Sequence, residues 1–214
     1  MQQLTLVLGN KNYSSWSLRP WLFMRKNGLS FNEKMVWLET PTFKQVLESH
    51  GSNGKVPALL DGEIQVWDSL GIIDYLCSSR ALTLTWPKDA KLLALARSMS
   101  AEMHSGFMAL RNELSMDTRL KRSYQIKDPD CQKDIDRIIS LWQLALRSGH
   151  REGSWLFGEF SVADAMFAPV VFRLNSNSIK VPAEVARYIE FVLRDDDVVS
   201  WVEAAREEVV LPGH

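Results

Sequence analysis

The chain has 214 residues, 46% of them hydrophobic, with 25 basic against 26 acidic side chains. That length holds one large or two small domains with a real core, and a net charge of −1 mixed along the chain excludes a basic nucleic-acid face or a polybasic membrane patch. There is no N-terminal basic-plus-apolar leader, no apolar run of about 18 residues, and only Cys77 and Cys131, so the expectation is a soluble cytoplasmic protein without disulfide framework or metal.

Leu4 to Leu8 reads as a strand, and Ser17 to Asn27 as a helix stopped by Gly28. Ser17 as its cap places Pro20 at the third helical position, where a missing N–H is harmless. Phe31 to Leu38 alternates in part and reads as a second strand, and Thr42 to Ser49 as a weak helix. Val56-Pro57-Ala58-Leu59-Leu60 is an apolar strand whose second residue cannot donate to a ladder. Pro57 therefore belongs at the strand entrance, a cis Val56–Pro57 bond is the expected geometry, and the Val56 backbone is left free to pair with an extended ligand. Asp61-Gly62 signals a tight hairpin, from which Glu63 to Trp67 returns as an alternating strand. Asp68-Ser69 then opens a helix carrying Leu70, Ile72, Ile73, Tyr75 and Leu76 at helical spacing up to about Ser79. Orphan N–H groups at such a helix start favour an anion, so Lys55 to Leu76 reads as a socket for a small peptide-like anion.

This β-α-β-α-β-β-α order describes a small α/β domain over residues 1–80, followed by a linker over 81–87 that contains Trp86-Pro87. Residues 88–214 read as all helix, over 88–115, 131–149, 161–175, 183–194 and 197–208. Ser161 and Asp164 have the spacing of a capping box, a folding role, while Phe160 finds only the small Ala165 as a staple partner. Met99, Met103, His104, Phe107, Met108 and Arg111 recur every 3 to 4 residues of the first of these helices, which puts His104 and Arg111 on one face. The same spacing also describes a core-facing stripe, and Cys77 reads as inert packing.

Lys55-Val56-Pro57, Asp68-Ser69 with Ile72-Ile73-Asp74-Tyr75-Leu76, and Phe160-Ser161-Val162-Ala163-Asp164 together resemble the cytosolic glutathione transferases over nearly the whole chain. Ser14-Ser15-Trp16-Ser17-Leu18-Arg19 is similar to the Ser-Ser-Cys-Ser-Trp-Arg signature of the serine-type zeta class, which includes the maleylacetoacetate isomerases. The resemblance implies a thioredoxin-like N-terminal domain that binds glutathione, an all-α C-terminal domain that binds an electrophile, and a homodimer. It puts Ser14 at the thiolate-stabilising position, with Ser15 behind it and Tyr13 third. Val56 would pair with the cysteinyl backbone beside Pro57, Asp68 would hold the ligand's α-amino group, and Ser69 with the helix amides its γ-glutamyl carboxylate. Lys55 and Arg19 add positive charge at the same mouth. Trp16, His104, Phe107 and Arg111 would line the electrophile site, where Arg111 suits an acidic or carbonyl-bearing substrate. Two departures stand out: Trp16 replaces the signature's cysteine, which weighs against isomerisation, and Asp68 replaces the commoner Glu or Gln.

The implied function is a detoxifying glutathione transferase that ionises glutathione for attack on a small electrophile. A glutathione-dependent cis-trans isomerase and a non-catalytic interaction module are the competing readings.

Overall fold

A computed structural model describes residues 3–37, 54–148 and 154–208; the weak helix expected at Thr42 to Ser49 lies outside them. Four described strands form one sheet in the order β2-β1-β3-β4: β1 (Leu4–Gly9), β2 (Phe31–Val36), β3 (Ala58–Asp61) and β4 (Ile64–Trp67). β1 and β2 are parallel, bridged by helix α1 (Ser15–Lys26), whereas β1–β3 and β3–β4 are antiparallel. The hairpin closes on the Asp61–Ile64 pair, so its two turn residues are Gly62 and Glu63, one place later than expected. Gly62 has φ 64°, the positive value that the first residue of a two-residue turn requires of glycine.

Alternation along β1 divides the two faces of the sheet. Leu4, Leu6 and Leu8 join a large core with Leu18, Trp21 and Leu22 of α1 and Ile72, Ile73 and Leu76 of α2 (Ser69–Ser79). Val7, Val36 and Ala58 form a smaller cluster on the opposite face. The helices after α2 are α3 (Ala90–Ser105), α4 (Met108–Glu113), α5 (Pro129–Ser148), α6 (Val162–Ser176), α7 (Ala183–Leu193) and α8 (Asp196–Glu207). The large core runs without a break from the sheet into these helices, with α6, buried over nearly its whole length, packed on α1. Lys26–Asp195 at 2.6 Å and Trp21 against Trp201 at 4.9 Å fasten α1 to α8.

Two sequence expectations need correction. Helix α1 begins at Ser15 with Ser14 as its cap, because the Ser14 carbonyl accepts the first helical bond from Leu18 N–H at 3.2 Å. Ser17 thus lies inside the first turn, where its hydroxyl accepts Gly9 N–H at 3.0 Å, and Pro20 sits within the helix proper. The helix expected over 88–115 is two helices: α3 stops at Ser105, Phe107 takes a left-handed φ of 60°, and α4 restarts at Met108. Gly106 permits the break, since a Cβ there would lie 2.9 Å from the Glu102 carbonyl oxygen. Asp134 of α5 accepts the Leu110 N–H at 3.0 Å, satisfying one orphan donor of the restarted helix.

Ser161 caps α6 as expected, with Asp164 Oδ2 accepting from both the Ser161 N–H and hydroxyl at 2.9 Å. Oδ1 takes Leu156 N–H at 2.9 Å and the Tyr188 hydroxyl at 3.2 Å. Even so, burial pushes this carboxyl up to about 6.

Candidate functional site

The Val56–Pro57 bond is cis, as the strand-entrance argument required. Pro57, one residue outside β3, is buried and Val56, two residues outside, half-buried; the last rung of β3 against β1 is Ala58–Val7, while Lys55 is exposed. At the return of the hairpin, Asp68 has φ 72° and ψ 137°, a conformation that non-glycine residues rarely hold unless their surroundings impose it. The imposition here is the cap: Asp68 Oδ1 accepts Leu70 N–H at 2.9 Å and Gly71 N–H at 3.3 Å. Asp68 and not Ser69 therefore caps α2, and two of the amides expected to meet an anion are already taken.

Ser69 is left in an unusual state. It is only 1% exposed, and among the described residues its hydroxyl has no hydrogen-bond partner. A buried polar group without a partner costs about 1–3 kcal/mol, a cost that an acceptor reaching this helix start would remove.

Ser14 and Ser15 are both buried. The Ser14 hydroxyl donates to Ser17 Oγ at 2.7 Å, whereas Ser15 Oγ accepts from Arg173 Nη2 at 3.3 Å and has no acceptor for its own proton among the described residues. Tyr13 turns its hydroxyl to Arg119 Nη2 at 3.3 Å.

Among the residues expected to line the electrophile site, Trp16 is the hub. The Arg19 guanidinium lies 4.2 Å from its ring centroid, the Arg111 guanidinium 4.6 Å, and the His104 ring meets it edge-on at 5.5 Å. With two cations against it, the indole is a spacer between like charges more than an open wall for an aromatic electrophile. His104 Nε2 reaches Asp68 Oδ2 at 3.3 Å, which joins this cluster to the start of α2. The sequence argument put His104 and Arg111 on one face of a continuous helix. They do converge, but through the break: Arg111 folds back so that Nε donates to Gly106 O at 3.0 Å and Nη2 to Met103 O, satisfying carbonyls at the end of α3. Met99, Met103 and Phe107 are buried in the core, and Met108 is 59% exposed.

The electrostatics have one sign. Burial lowers the Arg19 guanidinium well below its ordinary range, with Arg111 and Arg173 adding to the effect and Asp68 opposing it. Burial likewise lowers Arg111, brings Arg173 down to about 10, and depresses the His104 imidazole. Arg19 Nε donates to Met166 O at 3.1 Å, but among the described residues both of its Nη atoms are buried without partners. A buried cation in this state is destabilising by several kcal/mol on the order-of-magnitude scale for uncompensated charge, and an anion would relieve it. Sequence reasoning undervalued Arg19 and missed Arg173. The available signal was a basic residue inside an otherwise apolar helix, Ala165-Met166-Phe167-Ala168-Pro169-Val170-Val171-Phe172-Arg173.

Residues 13–79, which hold the serine turn, the cis-proline and the Asp68–Ser69 cap, match the family model of the glutathione S-transferase N-terminal domain. The N-terminal part of the chain is therefore similar to the glutathione-binding half of those transferases. It is 30% identical over 140 residues to maleylacetoacetate isomerase of Rattus norvegicus, and 32% identical over 66 residues to dichloromethane dehalogenase of Methylophilus leisingeri. These alignments cover 65% and 30% of this chain, and the chain spans 62% and 25% of the two relatives' lengths. The isomerase likeness agrees with the zeta-type pattern at residues 14–19. Among solved structures, a glutathione transferase homologue from Burkholderia with bound glutathione superposes with a TM-score of 0.71 at 23% identity, covering 96% of this chain and 99% of that one. The tau-class transferase of Mangifera indica gives 0.69 at 13% identity, covering 95% and 96%. The thioredoxin-like sheet followed by helices is the glutathione transferase fold.

Proposed function

We propose that this chain binds glutathione against β3 and the start of α2, ionises its thiol beside Ser14 and Ser15, and joins the sulfur to a small electrophile. The observation that carries the reading is the Ser69 hydroxyl, buried and without a partner among the described residues where the γ-glutamyl carboxylate of glutathione would sit. Val56 offers backbone for the cysteinyl residue, and Asp68 Oδ2, the oxygen outside the cap, would take the α-amino group alongside His104 Nε2 at 3.3 Å. The thiol proton leaves to solvent, the sulfur pair forms the new C–S bond, and the leaving group departs with its own pair.

A free thiol ionises near 8.5, so lowering it by about 2 units takes roughly 2.7 kcal/mol of preference for the anion. A hydroxyl bonded to a charged acceptor contributes about 1.5–3 kcal/mol and a helix start about 0.3–1 kcal/mol. One serine at the head of α1 is therefore sufficient. The resemblance assigns it to Ser14; the Ser15 proton, without an acceptor among the described residues and polarised by Arg173, makes Ser15 the rival.

Glutathione-dependent isomerisation is the second reading, favoured by Arg19, Arg111 and Arg173 gathered at the electrophile side and by the isomerase relative. We further read residues 1–80 as the glutathione domain and 88–214 as the electrophile domain of a cytoplasmic homodimer, with Ile64 and Trp67 exposed on edge strand β4. Calorimetry with millimolar glutathione tests binding, and no uptake would leave only the non-catalytic module. Turnover of a chlorodinitrobenzene-type acceptor set against maleylacetone separates the two activities, and isomerisation alone reverses their order. Ser14→Ala is expected to cut turnover with little change in glutathione affinity. If Ser15→Ala raises the bound thiol's pKa and Ser14→Ala does not, the role passes to Ser15.

A further inference from the structure

The peptide leading from β1 into the serine turn is held by the helical part of the molecule. One carboxylate, Glu208 just past the end of α8, takes two consecutive amides: Lys11 N–H at 2.5 Å on Oε1 and Asn12 N–H at 3.2 Å on Oε2. Trp201 Nε1 donates to Lys11 O at 3.0 Å, and Thr118 donates to Asn12 Oδ1 through its N–H at 3.0 Å and its hydroxyl at 2.7 Å. Arg119 spans the two sides, with Nη2 on the Tyr13 hydroxyl at 3.3 Å and Nη1 on Glu208 O at 3.5 Å. Within the peptide itself, Tyr13 N–H and Ser14 N–H both return to Asn10 O, at 3.3 and 3.0 Å. Displacing residues 10–12 therefore displaces Ser14.

We propose that Glu208 is a positioning residue for the thiolate site: from the far end of the chain it sets the place of the Ser14–Ser15 turn. The inference rests on the glutathione reading above and adds to it a control point that never touches the ligand. Its physical basis is that charge-assisted bonds to a carboxylate are about twice as strong as neutral ones, and that two of them on adjacent amides fix orientation as well as distance. A shift of about 1 Å in a catalytic hydroxyl is enough to cost on the order of a hundredfold in rate. Asp68 and Ser69, which hold the other end of glutathione, stand on a different element.

The test compares Glu208→Ala and Glu208→Gln with Glu207→Gln, the same loss of charge on an exposed neighbour. Amide hydrogen exchange by mass spectrometry is read first, without glutathione. Glu208→Ala is expected to speed exchange across residues 10–15 at least tenfold while α5 and α6 keep their protection; unchanged exchange overturns the clamp. The pH profile of the glutathione thiol is read second. An increase of about one unit in its pKa, hence about a fivefold loss of thiolate at pH 6.5, is expected with the KM for glutathione held within about twofold. Faster exchange with an unmoved thiol pKa shows that Glu208 serves the fold alone, and overturns the positioning role. If Glu208→Ala does not fold, Thr118→Val, which removes the hydroxyl bond to Asn12, must move both readouts in the same direction, or the proposal fails. Absence of glutathione uptake by the unmodified chain is a failure of the function proposed above, and calorimetry on that chain identifies it separately.

Discussion

Replacing Ser69 by alanine sets stability against binding. The substitution deletes one oxygen that is buried and unbonded among the described residues. An unsatisfied buried polar group costs about 1–3 kcal/mol, so the ligand-free variant is expected to gain about 1 kcal/mol after a small packing loss, or about 2–4 °C in Tm for a domain of this size. The same oxygen is the proposed donor to a carboxylate, a bond of about 1.5–3 kcal/mol, so affinity for glutathione is expected to fall about 10- to 100-fold. At a glutathione concentration 100 times the wild-type Kd, bound ligand adds about 2.7 kcal/mol to wild type; with affinity down 100-fold it adds about 0.4 kcal/mol. The two melting curves should therefore change order: the variant melts higher alone, and wild type melts higher with glutathione. Thermal denaturation with and without ligand, alongside calorimetric titration, reads both effects. A variant that melts lower alone and binds glutathione as tightly as wild type would show that the Ser69 hydroxyl supports the fold, and the reasoning would be refuted.

Gly106→Ala brings a Cβ to 2.9 Å from the Glu102 carbonyl oxygen, a rigid helical backbone atom, and is expected to cost about 1–3 kcal/mol in urea unfolding; no loss would mean that the break between α3 and α4 is not held by this glycine. Asp164, raised from the ordinary 3.8 to about 6 by burial, binds a proton more readily folded than unfolded. Its contribution is therefore fully present below pH 3.8 and lost as pH rises through 6: stability of wild type relative to Asp164→Asn should increase by roughly 2 kcal/mol from pH 7 to pH 4, and a flat difference contradicts the buried-acid account. His104 is depressed chiefly by burial, with Arg19 and Arg111 adding and Asp68 opposing, so its share of stability is present above its unfolded pKa and is lost as pH falls through the folded one. Removing the opposing charge with Asp68→Asn should move its NMR titration further down; an upward move contradicts the assignment.

What could be read before folding was chemistry confined to a few neighbouring residues. A proline at position two of an apolar run can enter a sheet only at its mouth, and Val56–Pro57 does so in cis. Asp68 and Ser69 had to open a helix, and Ser161 with Asp164 had to begin one, because caps are made within three residues. Where two readings were both local, the choice failed: Ser14 and Ser17 can each cap a helix, and the winner depended on Gly9 N–H taking the Ser17 hydroxyl across the turn. The Met-rich stripe misled for a related reason. Its spacing is helical on both sides of Gly106, and nothing in a periodic pattern reports a left-handed residue at Phe107.

The amino-acid order by itself determined a small α/β unit with a proline at a strand entrance and a capped helix start within residues 55–69, followed by helices, since propensity, periodicity and capping act over one or two turns. Tertiary structure alone decided that Trp16 stands between Arg19 and Arg111, that Arg173 reaches Ser15, and that Glu208 grips an amide 197 positions away. Those contacts join groups that are strangers along the chain, and their charges are tolerable or costly only once packing has excluded water from around them.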